Sequence, residues 1–317
     1  SRMMDFCTPI IFGSNKIIAY HKKVLDMQDF NLNIINSIKD INPKKGNLLN
    51  ISKEDLNITL GEKSLVSGKF AFDSITAACK ALKNKDIDVL VTAPINKSSI
   101  QESMKDFVGH TEFLQGNFKG NALMMMISDF MKIAFVTGHI PLSDVKGAIN
   151  TNKIVEKVKQ LNESLISDFG YRNPKIAIIG LNPHAGEDGM LGSEEKEIIT
   201  PAINQLKQKN IMAFGPYAAD SFFIEKNLTV FDGILSMYHD QGLTPFKTLS
   251  FSQGVNYTAG LNIIRTSPVH GTAYEIAGEN KANSQSFRTA VFLACEIFKK
   301  REEYQQLNKD SLMLKSR

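Results

Sequence analysis

Cysteine is scarce in this chain. Its 317 residues include only Cys7, Cys79 and Cys295, far apart and with no CxxC. Spacing therefore encodes neither a local thiolate zinc site nor a redox pair, and the usage fits a reduced, cytoplasmic compartment. Charge of one sign is scarce too. The 37 Lys and Arg face 33 Asp and Glu, a net charge of +4, so no concentrated field speaks for nucleic-acid binding. The densest basic group, "FKKREE" near the C-terminus, reads as a solvated helix end. No apolar run reaches the length of a membrane span, and no signal peptide is present. There is no GxGxxG, no Walker A loop and no GxSxG, which excludes a conventional dinucleotide fingerprint, a P-loop and a nucleophile elbow. No internal repeat or low-complexity tract is visible.

What is present is a core-forming chain. Apolar residues make up 43%, enough to exclude global disorder, and the length suits two domains. Short β-branched runs alternate with helical patterns. "TPIIFG" reads as a strand and "SNKIIAYHKKVLDM" as a helix capped by Ser14. "FAFDSITAACKALKNK" is an amphipathic helix leading into "IDVLVTAPINK". The strand-like runs "ALMMMIS", "KIAFVTG", "KIAIIG" and "FDGILS" follow, with helices between them, and "SQSFRTAVFLACEIFKKREE" is a final helix. Pro201 marks a kink or a new helix start. This alternation predicts βαβ units and a mainly parallel sheet, an α/β fold. The loops near 109–120 and 248–260 are the expected crossings between domains spanning 1–115 plus 250–317 and 116–249.

Three of the strand-like runs end alike. "KIAFVTGH" ends at His139, "KIAIIGLNPH" at His184 and "FDGILSMYH" at His239. In open α/β sheets ligands sit outside the carboxyl ends of strands, so three imidazoles delivered there can converge on one cation. That donor set suits Zn²⁺, and also Co²⁺ or Ni²⁺. Taken alone, a strand-end histidine is more often an ordinary loop or core hydrogen-bonding residue; the shared position of all three favours the joint reading. "GHTEF" sets His110 and Thr111 beside a glycine, where they can hold a phosphate or carboxylate, unless Thr111 is simply a helix N-cap. Lys247, Asn256 and Arg265, spaced nine residues apart in loop-like segments, can clamp an anion or be surface charge. In "HGTAYEIAGENKAN", Glu275 can accept hydrogen bonds from ribose hydroxyls, which favours NAD over NADP.

"GHTEF", "LNPHAGEDG", "YHDQGLTPFK" and "GVNYTAGLNIIRTSPVHGTAYEIAG" resemble the 4-hydroxythreonine-4-phosphate dehydrogenase (PdxA) family from about Cys7 to the final helix. The resemblance implies a two-domain α/β/α fold of the isocitrate and isopropylmalate dehydrogenase type. It implies a homodimer whose active site lies in the interdomain cleft and is completed by the partner subunit. It makes 1–115 plus 250–317 the NAD side and 116–249 the metal and dimerisation side. It assigns His139, His184 and His239 as ligands of a divalent metal (Zn²⁺, with Mg²⁺, Co²⁺ or Ni²⁺ as alternatives). His110, Thr111, Lys247, Asn256 and Arg265 become substrate contacts, and His270, Glu275 and Asn283 lie near NAD. The family opens with a strand and glycine-rich loop, and this chain begins at about the strand after it.

The expected chemistry is oxidation and decarboxylation of 4-phosphohydroxy-L-threonine in pyridoxal 5'-phosphate biosynthesis, with Lys247 or a water taking the proton. The alternatives are a paralogue acting on threonate or erythronate phosphate, an acyl-phosphate transferase, and a non-catalytic phosphometabolite binder.

Overall fold

The computed structural model describes residues 2–27, 29–52, 59–250 and 253–309. Along the chain run β1 (Ile10–Gly13), α1 (Asn15–Val24), β2 (Asn33–Ile35), β3 (Asn47–Asn50), α2 (Leu65–Lys83), β4 (Leu90–Val91), α3 (Lys97–Gln101) and α4 (His110–Asn117). Then come β5 (Gly120–Ile127), β6 (Lys132–Phe135), α5 (Leu142–Ala148), α6 (Thr151–Ser167), β7 (Ile176–Ile179), α7 (Thr200–Gln208) and β8 (Ala213–Tyr217). The rest is α8 (Ala219–Phe222), α9 (Glu225–Leu228), β9 (Gly233–Ser236), α10 (His239–Ser250), β10 (Val255–Leu261), β11 (Arg265–Pro268) and α11 (Gln285–Lys309). The chain divides into two compact units, one of residues 1–119 and 265–295, the other of 120–264 and 296–317.

In the first unit β1, β3 and β2 form a parallel sheet in the order β1-β3-β2, and β4 pairs in parallel with β11. α2 begins where Ser64 Oγ accepts the Ser67 N–H at 3.1 Å, as a serine cap should. Ser14 does hold the cap position of α1, but its buried hydroxyl has no hydrogen-bond partner among the described residues. The first-turn N–H of Asn15 is met instead by Asn50 Oδ1 at 3.0 Å, from the end of β3.

The second unit carries six strands in the order β10-β5-β6-β9-β7-β8. β5 runs antiparallel to both β10 and β6, and the pairs from β6 to β8 are parallel. β7 and β9 are buried at every position, the mark of parallel strands covered on both faces. α6 presents Ile154, Val155, Val158, Leu161 and Leu165 to the core at helical spacing, and Asn150 caps it by accepting the Lys153 N–H at 2.9 Å. α7 continues directly from a π-helical turn at Glu195–Ile199, so Pro201, in the first α turn, lies inside one helical run and does not start a new helix.

Two expectations are corrected. The segment from His239 is helix α10, which continues through Pro245 to Ser250. Lys247 therefore lies on a helix, Asn256 within β10 and Arg265 at the start of β11. The 248–260 loop is in fact the end of α10 and most of β10, while residues 251 and 252 lie outside the described residues. Local pattern concealed the helix because "HDQGLTP" is rich in turn formers. Packing decides otherwise: at Gly242, α10 sits so close to the sheet that a Cβ would lie 2.6 Å from both Ser236 Oγ and Ile133 Cδ1.

Candidate active site

The second unit gathers the strand-end histidines. β9 lies between β6 and β7, all three running the same way, so their carboxyl ends share one edge. His139, His239 and His184 each follow within a few residues of one of those ends. Side chains tie the ends together. Thr137 Oγ1 donates to the Met237 carbonyl at 2.9 Å, joining the β6 exit to the β9 exit. Gln241 accepts the Met237 N–H at 2.8 Å and donates to the Gly180 carbonyl at 2.6 Å, joining β9 to β7. Sequence reasoning passed over both residues, because amide and hydroxyl braces carry no motif.

His139 and His239 have ring centroids 5.1 Å apart. Asp240 Oδ1 lies 2.6 Å from Nδ1 of His239; with the proton on Nδ1, the Nε2 lone pair is left free to bind a ligand. His184 is placed differently, with Nδ1 3.9 Å from Asp220 Oδ2. It sits in a run of left-handed backbone, φ 49° at His184, 50° at Ala185, 39° at Glu187 and 56° at Asp188, a conformation costly for L-residues and concentrated at functional sites. Glu195 braces this run by accepting the N–H groups of Leu181 at 2.7 Å and Asn182 at 2.8 Å. Glu194 takes Lys146 at 2.6 Å and Asn182 Nδ2 at 2.7 Å, and these contacts hold its carboxyl down to about 2.

The donor set is thus two adjoining imidazoles, fitting two positions of a Zn²⁺-type shell. Among the described residues no group of three His, Cys, Asp or Glu in one chain closes around an ion. The second unit also holds Lys247 on α10 and Asn256 on β10, whose buried Oδ1 has no partner among the described residues. Such an orphaned acceptor costs stability unless a ligand supplies a donor.

The first unit gathers a cationic group. Arg265 is buried and donates to Thr92 Oγ1 through Nε at 3.0 Å and Nη2 at 2.7 Å. Burial lowers it to about 10, which the charge of Glu112 opposes. His110 opens α4, with Gly109 rather than Thr111 at the cap position. Burial, then the charges of Arg265 and Lys97, push the His110 imidazole down to about 3, so it is neutral near pH 7. Lys97 Nζ reaches Gly109 closely enough that a Cβ there would lie 3.3 Å away. Two cations, a neutral imidazole and the Thr111 hydroxyl thus share the start of α4, where free N–H groups already favour an anion. Lys97 is the residue that the sequence reading missed. It follows β4 in "TAPINK", and the strand-end rule applied to the histidines would have marked it.

His270, Glu275 and Asn283 also lie in the first unit. His270 is exposed, with Nδ1 3.0 Å from the Gly271 carbonyl. Glu275 lies exposed in a single 3-10 turn, Tyr274–Ile276, with a carboxylate free to meet ribose hydroxyls. Asn283 Oδ1 accepts the Gln285 N–H at 2.8 Å, which caps α11 and leaves its amide N–H groups as donors.

Known proteins resemble this chain over most of its length. A curated 4-hydroxythreonine-4-phosphate dehydrogenase of Bacteroides thetaiotaomicron is 44% identical over 95% of this chain and 83% of its own length. One from Sulfurihydrogenibium is 41% identical over 90% of this chain and 87% of its own. The crystal structure of 4-hydroxythreonine-4-phosphate dehydrogenase from Klebsiella pneumoniae superposes with a TM-score of 0.77 at 32% identity, covering 91% of this chain and 88% of that one. These likenesses place the chain among the α/β oxidoreductases. More narrowly, it belongs to the family described as pyridoxal phosphate biosynthetic protein PdxA, whose model matches residues 5–294.

Proposed function

We propose that this chain is a cytoplasmic homodimer that oxidises and decarboxylates 4-phosphohydroxy-L-threonine, with NAD⁺ and a divalent cation, in pyridoxal 5'-phosphate biosynthesis. The observation that carries the reading is the Lys97, His110 and Arg265 group. Its chemistry is that of a phosphate or carboxylate site, and it occurs in a chain whose relatives are named for a phosphorylated hydroxy amino acid.

Lys97, Arg265 and Thr111 bind the anionic groups, and neutral His110 offers a hydrogen bond without adding charge. Asn256 Oδ1 accepts from a substrate donor, and Lys247 takes the proton of the hydroxyl that is oxidised. Glu275 holds the ribose hydroxyls of NAD, with His270 and Asn283 beside the adenosine. His139, His184 and His239 hold the cation; two of them adjoin in one chain, and the shell is completed across the homodimer. Zn²⁺ suits imidazole donors, with Mg²⁺, Co²⁺ or Ni²⁺ as alternatives. When bound, the cation supplies a Lewis acid for the hydroxyl and the nicotinamide a hydride acceptor. Residues 1–115 plus 250–317 are the NAD side, and 116–249 are the metal and dimerisation side.

The test is NADH formation across a panel of phosphorylated hydroxy acids, with and without a chelator. 4-Phosphohydroxythreonine is expected to be the best substrate, with activity lost to the chelator and restored by Zn²⁺. Preference for threonate or erythronate phosphate overturns the substrate. Full turnover of a metal-free His239→Ala protein overturns the metal.

A further inference from the structure

Cys7 and Cys295 are 288 positions apart in the chain, and no spacing rule connects them. The fold of the first unit brings them together. The Cys7 side chain interacts electrostatically with Cys295, and its thiol also donates to the Met3 carbonyl at 3.9 Å. Its neighbour Phe6 packs edge-on against Phe292, ring centroids 5.2 Å apart, one helical turn before Cys295 on α11. Neither cysteine is in a disulfide and both are partly exposed, so a small reagent can reach them. We propose that Cys7 and Cys295 are an oxidisable dithiol, a modification site that closes to an intramolecular disulfide in the presence of a low-molecular-weight disulfide such as oxidised glutathione.

The chemistry balances in two exchanges. The Cys7 thiolate attacks one sulfur of the oxidised glutathione, forming a mixed disulfide and expelling one glutathione thiolate. The Cys295 thiolate then attacks the Cys7 sulfur, forming the Cys7–Cys295 bond and expelling the second. The protein gives up two electrons and two protons, and one small disulfide becomes two thiols. Cys7 suits the attacking role. Its contact with Cys295 lowers the thiol to about 7, outweighing the burial that raises it, and a thiol near ambient pH attacks best. Cys79 is the built-in control, because burial pushes its thiol up to about 11. The bond would tie the segment before β1 to α11 and so constrain the unfolded chain along almost its whole length.

The experiment treats the full chain with oxidised glutathione at mildly alkaline pH, followed by intact mass, peptide mapping and thermal unfolding. The expected product is a chain with no intermolecular disulfide, lighter by two hydrogens. It should carry a linked peptide pair containing Cys7 and Cys295, leave Cys79 alkylatable, and have a higher Tm that returns to its starting value on reduction. Cys295→Ala should stop at the mixed disulfide on Cys7 and raise the pH midpoint for Cys7 alkylation, because the lowering contact is gone. A wild-type chain that stops at the mixed disulfide, or that bridges through Cys79, overturns the proposal. An unmoved alkylation midpoint in Cys295→Ala does the same.

Discussion

His110 shows how neighbours decide a residue's role. Lowered from 6.5 to about 3, it stays neutral in the folded chain where an unfolded chain would protonate it. The unfolded state therefore binds the extra proton first as pH falls. Stability from this site is complete above about pH 6.5 and declines toward pH 3. His110→Asn should flatten that decline in urea midpoints measured across the interval, and an unchanged slope would contradict the burial argument. Lys97 makes a second prediction at this scale. A hydrogen bond to a charged group contributes roughly 1.5–3 kcal/mol, so Lys97→Met should lower kcat/KM about 10- to 100-fold. The loss should lie in KM rather than in fold, with circular dichroism unchanged. A wild-type KM would remove Lys97 from the site. The candidate anion group was half legible in sequence: "GHTEF" pointed to His110 and Thr111, whereas nothing local joined them to Lys97 or explained why the imidazole stays neutral.

At the scale of elements, the exits of β6, β9 and β7 behave as one edge because Thr137 and Gln241 lace them. Gln241→Leu leaves the Met237 N–H and the Gly180 carbonyl without these partners. An unsatisfied buried group costs about 1–3 kcal/mol, so Tm should fall. Affinity for Zn²⁺, read by calorimetry, should fall with it, since His239 and His184 sit on the two exits that Gln241 joins. Gln241→Glu keeps the acceptor for Met237 N–H and should recover part of both. Loss of Tm with unchanged Zn²⁺ affinity would make the brace purely structural. Gly242→Ala forces a methyl against Ile133 and Ser236 and should destabilise by about 1–3 kcal/mol in urea unfolding; a neutral result would mean that α10 shifts freely. The strands were legible because β7 and β9 are unbroken apolar runs. α10 was not, since its helical state comes from docking on the sheet rather than from propensity.

Across the second unit, Asp168 at the end of α6, Tyr257 on β10 and Arg301 on α11 form one buried network. Tyr257 Oη donates to Asp168 Oδ2 at 2.6 Å, and Arg301 Nε donates to Asp168 Oδ1 at 2.6 Å. Arg301 also donates to the Ile263 carbonyl at 3.0 Å and stands 2.9 Å from the Tyr257 hydroxyl. Burial, reinforced by the Asp168 charge, raises Tyr257 well above its usual value, so the phenol stays protonated and able to donate. Arg301→Met strands a buried carboxylate and should cost about 3–5 kcal/mol in denaturant unfolding. A loss below about 1 kcal/mol, the level of an exposed ion pair, would show that water reaches Asp168.

Local pattern by itself determined the α/β alternation, the strand-end positions of His139, His184 and His239, and the long motifs that mark the family, because each is written in consecutive residues. Only the tertiary structure decided which partners meet. It seats Lys97 and Arg265 around His110, sets His139 beside His239 while His184 faces Asp220, and joins Cys7 to Cys295. The physical reason is chain separation. Periodicity encodes which face of an element is buried, but contacts across a hundred or more residues follow from how those faces pack.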